Sequence, residues 1–158
     1  MRRRVRPPHT CSSWLAVGMS QTFRTSRLVE FRDTDAAGIV HFSVYFTWME
    51  AAEHEFLRSL GLSVVWKDAT GTITWPRVAA RCDYQGPVRF EEKVEIEVLV
   101  AKIGAKSVTY GFQFTGPRGA AATGEMTMVC CRIESDGTFR SITIPEPIRQ
   151  ALAGYAAS

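Results

Sequence analysis

Apolar positions recur with two different periods along this chain. Over residues 44–60, Tyr45, Met49, Ala52, Phe56 and Leu60 follow one another at spacings of four, three, four and four. That interval stacks side chains on one face of an α-helix. Glu50, His54, Glu55 and Arg58 occupy much of the other side, and Gly61 is placed to end the helix as a left-handed cap. Elsewhere the period is two, the spacing of strands. Residues 22–32 read as a first strand with Val29 and Phe31 on one face. Residues 33–43 read as a loop, with turn-forming Asp33, Asp35 and Gly38. Residues 72–85 read as a strand that Pro76 confines to an edge or a bulge. Over 88–102, Val94, Ile96, Val98 and Val100 alternate with Glu95, Glu97 and Leu99. Val108, Tyr110, Phe112 and Phe114 repeat the pattern over 106–115. Residues 121–134 and 138–144 form a last strand pair or one long broken strand, with Asp136-Gly137 at the turn. Pro145, Glu146 and Pro147 open a short C-terminal helix, Ile148 to Ala153. The apolar helix face needs a large cover, so the pattern predicts an α+β architecture. One long central helix is wrapped by an antiparallel sheet of about five strands.

Length and composition add limits. A chain of 158 residues, 46% hydrophobic and 22% charged, fits one globular domain with a sizeable core. The net charge of +3 is concentrated in Arg2, Arg3, Arg4 and Arg6, so it is no argument for nucleic-acid binding. No apolar run is long enough for an integral membrane segment. In the first 18 residues the only compact apolar run is Trp14-Leu15-Ala16-Val17, too short for a secretory signal, and Pro7 and Pro8 interrupt the segment. Residues 1–18 are expected to be a disordered extension, with Met19 a plausible start and the domain spanning 19–158. Cys11, Cys82, Cys130 and Cys131 contain no C-x-x-C pair, and His9, His41 and His54 complete no metal-ligand spacing. The cysteines read as reduced thiols of a cytoplasmic protein. Cys130 and Cys131 should face opposite ways from one strand, one of them into the core.

The stretch from Val29 to Leu62, VEFRDTDAAGIVHFSVYFTWMEAAEHEFLRSLGL, carries the chemistry. A strand is followed by Asp33-Thr34-Asp35-Ala36-Ala37-Gly38-Ile39-Val40, then by a helix with Tyr45, Trp48, Met49 and Glu50 near its start. This D-x-D-x-x-G-[IV]-V pattern resembles the 4-hydroxybenzoyl-CoA thioesterase family and the acyl-CoA thioesterases found with bacterial envelope proteins. The resemblance implies a hot-dog fold, hydrolysis of an acyl-coenzyme A thioester, and no cofactor beyond the coenzyme A of the substrate. It also implies a homodimer or homotetramer with an active site at each subunit boundary. Asp35 matches the catalytic carboxylate and Asp33 a structural position. Phe42 matches the residue whose backbone N–H polarises the thioester carbonyl. Gly38 and Tyr45 are expected at the substrate. So are Lys102 and Lys106, whose basic turn either meets the nucleotide or is a plain solvated hairpin.

Thioester hydrolysis needs a carboxylate nucleophile or a base that activates water, and an aspartate is ordinarily ionised at neutral pH. A helix N-terminus offers unpaired N–H donors and partial positive charge to a developing oxyanion. Against this stands the plainer reading of Asp33 and Asp35 as turn or capping residues. The chain also departs from many envelope-associated relatives, which have tyrosine then histidine after G-V-V. Here His41 precedes Phe42, and Val44 stands where asparagine is frequent. His41 either substitutes in catalysis or lines the acyl pocket. His54 reads as a surface or interface histidine in a charge row. Glu50 and Glu53 have a sharper alternative, since a different branch of hot-dog thioesterases carries its catalytic glutamate on the central helix. With Asp35 in the loop, Glu50 reads as a supporting or interface residue. Two other functions compete: a hot-dog dehydratase or hydratase pairing His41 with Glu55, and a non-catalytic acyl-CoA-binding module.

Overall fold

A computed structural model of the chain describes residues 21–156. The extension expected over 1–18 lies outside the described residues. The main sheet has five strands, all antiparallel: β1 (Phe23–Leu28), β4 (Arg77–Tyr84), β5 (Lys93–Ile103), β6 (Ser107–Gly116) and β7 (Gly119–Val129), in the order β1-β5-β6-β7-β4. Helix α1 (Val44–Ser59) packs on this sheet, touching β1, β4, β5 and β7. The expected helix face is the buried one. Tyr45, Met49, Ala52 and Phe56 are buried, Leu60 is partly buried, and Trp48 and Leu57 widen the stripe. Val94, Ile96, Val98 and Val100 on β5 meet them from the sheet, as do Val108, Tyr110, Phe112 and Phe114 on β6. Gly124 on β7 faces Met49 so closely that any β-carbon there would overlap the thioether. This lets the helix lie against the sheet. Gly61 ends α1 with φ +71°, the left-handed cap expected of it. Helix α2 (Glu146–Ala153) closes one end of the core through Ile148 and Leu152.

Four expectations need correction. The first strand stops at Leu28, and residues 31–33 form a single 3₁₀ turn. Glu30 and Asp33 cap that turn reciprocally, side chain to backbone, and this pulls the chain out of the sheet. Val29 is therefore buried while Phe31 is 80% exposed, instead of sharing its face. The strand expected over 72–85 is divided at Trp75-Pro76 into β3 (Gly71–Thr74) and β4. Proline supplies no N–H to continue one ladder, and the two pieces join different sheets. The strand expected over 121–134 likewise divides at Cys130, into β7 and β8 (Cys131–Ile133). The chain crosses there from one sheet to another, so both Cys130 and Cys131 are buried.

The fourth correction is a second, smaller sheet that the periodicity did not separate. Its order is β2-β3-β8-β9, with β2 over Val65–Asp68 and β9 over Phe139–Ser141. A bidentate Arg132–Asp68 pair at 2.9 Å ties β8 to β2 across β3. Lys102 is also a strand residue of β5 and does not sit in the turn that follows.

Candidate active site

The loop between β1 and α1 is built by its own backbone bonds. Gly38 N–H donates to Asp35 O at 2.9 Å, and Asp35 N–H donates to Ile39 O at 3.0 Å. Gly38 takes φ +73°, which a residue with a side chain rarely adopts. Two longer-range bonds dock the loop. Val40 N–H donates to Val88 O and His41 N–H to Asp33 O, each at 2.8 Å.

The two aspartates do different things. Asp33 Oδ2 accepts the Glu30 N–H at 2.9 Å and so belongs to the 3₁₀ cap. Asp35 Oδ1 accepts the Ala37 N–H at 2.8 Å. Its Oδ2 has no hydrogen-bond partner among the described residues. One carboxylate oxygen is thus anchored and the other is available at a cleft. Asp33→Asn replaces the charged acceptor of that bond with a neutral one and is expected to cost about 1 kcal/mol of stability and to change turnover less than tenfold. Chemical denaturation beside steady-state kinetics checks this. A larger loss of turnover than of stability would exchange the roles of the two aspartates.

The cleft has a volume of about 330 Å³ and is lined by Asp35, Ile39, Val40, Phe42, Tyr45 and residues 84–88. Its walls are mostly aromatic and aliphatic. Tyr45 stacks edge-on against Tyr84 at 5.4 Å and against Phe114 at 5.2 Å. Burial, with Cys82 close by, pushes both tyrosine hydroxyls up to about 12, so they remain protonated donors at neutral pH. The Phe42 ring is 61% exposed at the mouth. Phe42 lies two residues before α1, and its N–H has no partner among the described residues. A free N–H in the last turn of chain before a helix, next to a carboxylate with a free oxygen, is an arrangement suited to acyl transfer.

The structure brings together Asp35, Phe42 and Tyr45 from the expected set. Gly38 shapes the loop without lining the cleft. The His41 ring is turned to its own chain, with Nδ1 2.8 Å from Ser43 Oγ and 3.3 Å from the Ser43 N–H, and it does not line the cleft. Lys102 and Lys106 are remote. β5 begins beside the loop, and nine residues of strand separate Lys93 from Lys102, roughly 30 Å. Tyr84 and the Gln85-Gly86-Pro87-Val88 turn were not anticipated. Their only sequence signal is a strand running into Gly-Pro.

A second feature is buried, and nothing in the sequence signals its burial. Glu53 on α1 is fully buried, and its Oε2 accepts from Arg77 at 2.8 Å. Its Oε1 has no partner among the described residues, and Glu53 lines a void of about 10 Å³, room for a single water, with Tyr110, Ser63 and the end of α1. Arg77 also reaches Glu50 at 3.3 Å and His54 Nε2 at 3.4 Å. Burial outweighs the Arg77 charge and raises Glu53 to about 7.

A family model described as the Thioesterase-like superfamily matches residues 29–152, from the end of β1 to α2. The chain belongs to the Thioesterase-like superfamily. A 1,4-dihydroxy-2-naphthoyl-CoA hydrolase of Synechococcus elongatus is 27% identical to this thioesterase over 131 residues, which are 82% of this chain and 94% of that protein. Among solved structures, a gentisyl-coenzyme A thioesterase is 30% identical, with a TM-score of 0.68, covering 83% of this chain and 99% of the other. A 4-hydroxybenzoyl-CoA thioesterase shares the fold at a TM-score of 0.70 and 18% identity, over 83% of this chain and 98% of that one. The α1-on-sheet arrangement is thus the hot-dog fold expected from the motif.

Proposed function

We propose that this thioesterase hydrolyses acyl-coenzyme A thioesters to the free acid and coenzyme A, with Asp35 as the group that starts the reaction. The observation carrying this reading is the Asp35 carboxylate with one free oxygen in the same cleft as the unpartnered Phe42 N–H. The thioester carbonyl oxygen accepts the Phe42 N–H, which stabilises the charge that develops there. Asp35 then either attacks the carbonyl carbon, giving a mixed anhydride and coenzyme A thiolate, or takes a proton from the water that attacks. In the first route water then cleaves the anhydride, releasing the acid and regenerating the Asp35 carboxylate. In both routes water supplies the proton that the thiolate takes up, so each ends in acid plus thiol. The aromatic walls at Phe42, Tyr45 and Tyr84 favour an aromatic acyl group. Aromatic acyl groups also appear in the names of the relatives. Release of free thiol from a panel of aromatic and aliphatic acyl-CoAs tests the assignment.

The dehydratase alternative needs Glu55 beside a histidine. Glu55 instead accepts from Arg27 at 2.7 Å and from Thr25 on β1, outside the cleft. Among the described residues no group of His, Cys, Asp and Glu is arranged to hold a metal ion. No helix among them is long and apolar enough to cross a membrane. The free thiols Cys82, Cys130 and Cys131 support a reducing, cytoplasmic setting.

We further propose a dimer formed along β4. This strand is an edge of the main sheet, its first half is exposed, and Val78 is 61% exposed. Such an edge invites pairing. A two-fold, antiparallel β4–β4 contact would set the Tyr84 end of one copy beside the Arg77 end of the other. Arg77 pairs with Met128 and Ser107 with Val129, so that end also carries the Lys102–Lys106 region. The basic residues remote from their own cleft would then approach the cleft of the second copy, where coenzyme A phosphates need cations. Sedimentation at micromolar concentration should give twice 17.6 kDa or more. A fully active 17.6 kDa species would contradict the shared site.

A further inference from the structure

The Phe42 N–H is held in place from both sides. α1 begins at Val44, whose N–H donates to His41 O at 3.0 Å, the carbonyl that shares a peptide plane with the Phe42 N–H. On the N-terminal side, the Val40 and His41 N–H groups are fixed to Val88 O and Asp33 O. On the C-terminal side, Tyr84 Oη donates to Phe42 O at 2.9 Å, a contact between residues 42 apart in sequence. Of the two peptide planes that meet at the Phe42 Cα, the one before it is held by the Val44 N–H on His41 O, and the one after it by the Tyr84 hydroxyl, with the Ser43 N–H 3.3 Å from His41 Nδ1. The ring of Tyr84 is itself fixed against Tyr45, and the strand carrying it is β4. We propose that Tyr84 is a positioning residue: through the Phe42 carbonyl its hydroxyl sets the direction of the Phe42 N–H that polarises the thioester.

The inference rests on the assignment of that N–H as the carbonyl donor. Oxyanion donors act through preorganisation, so a small rotation of the donor weakens the transition state more than it weakens substrate binding. Tyr84 also forms part of the cleft wall. Removal of its hydroxyl alone leaves that wall, and the stacking on Tyr45, intact.

The test combines kinetics with a carbonyl probe. Tyr84→Phe should lower kcat about tenfold, with KM changed less than twofold and the melting temperature nearly unchanged. A merely structural role would move the melting temperature or KM instead. The second measurement is the carbonyl stretch of bound 13C-carbonyl benzoyl-CoA, recorded in Asp35→Asn to prevent turnover. Bound to Asp35→Asn, the carbonyl should stretch below its frequency in free benzoyl-CoA, and in Asp35→Asn/Tyr84→Phe it should return most of the way to the free value. An unaltered shift in the double variant, or an unchanged kcat in Tyr84→Phe, overturns the role of Tyr84 while leaving the N–H assignment standing. Absence of any shift in Asp35→Asn overturns the N–H assignment and the proposal with it. If Tyr84→Phe does not fold, the same comparison is made with Tyr84→Trp, which keeps an aromatic wall without a hydroxyl.

Discussion

Glu53→Gln should be more stable than the wild-type chain by about 3 kcal/mol at pH 8 if the two are matched at pH 4. Burial raises Glu53 from 4.5 to about 7, the neighbouring Arg77 lowering it only in part and Glu50 adding to the rise. A carboxyl with a raised folded-state value favours the folded state in its protonated form. That contribution is complete below about 4.5, where the unfolded chain titrates, and is lost as pH climbs through about 7. A rise of 2.5 pH units corresponds to about 3 kcal/mol. The groups facing Glu53 are Arg77 from β4, Glu50 and His54 from α1, and the Tyr110 hydroxyl from β6. All of them persist in the variant, so the difference between the two proteins isolates Glu53. Glutamine keeps the acceptor for Arg77 and carries no charge at any pH. Urea unfolding of both proteins across pH 4–8 gives the answer. A constant difference would mean that folding does not shift Glu53, and a change of the opposite sign would mean that Arg77 holds it ionised.

Asp35→Asn is expected to lower turnover at least ~100-fold, or about 2.7 kcal/mol of transition-state stabilisation. The fold should not change. The Asp35 Oδ1 that accepts the Ala37 N–H has a direct counterpart in the asparagine carbonyl. The free oxygen becomes an amide nitrogen, which can neither attack the thioester nor take a proton from water. KM should move little, because the cleft walls are supplied by other residues. Stopped-flow or steady-state kinetics with a single acyl-CoA suffices. Retention of more than a third of wild-type turnover would remove Asp35 from the chemistry.

The helix and the long strands were legible because burial there follows a single period. Tyr45, Met49, Ala52 and Phe56 go to one face, and the alternating residues of β5 and β6 meet them. Breaks within the other strands were less legible, since they depend on partners far along the chain. Nothing local separates Cys130 from the strands on either side. Its N–H bonds to Lys106 O, and its carbonyl accepts from Ile142, at the seam between two sheets. Glu53 stood out only as a glutamate on the central helix, and its burial was hidden for a related reason. A glutamate on a mixed helix reads as solvated until the fold places Arg77 beside it. The D-x-D-x-x-G-I-V loop pointed to Asp35 and Phe42, seven positions apart in one stretch of chain, and both line the cleft. Tyr84 is 42 residues further on and enters the site only through the sheet.

The central claim is that the cleft hydrolyses a thioester instead of merely holding one or hydrating a double bond. Free-thiol release by the wild-type chain, followed across benzoyl-type, short and long aliphatic acyl-CoAs with crotonyl-CoA hydration recorded in parallel, tests it most directly. The account predicts catalytic thiol release from at least one acyl-CoA, fastest with an aromatic acyl group, and no hydration. Stoichiometric binding without thiol release from any member of the panel, or hydration of crotonyl-CoA with the thioester left intact, would contradict it.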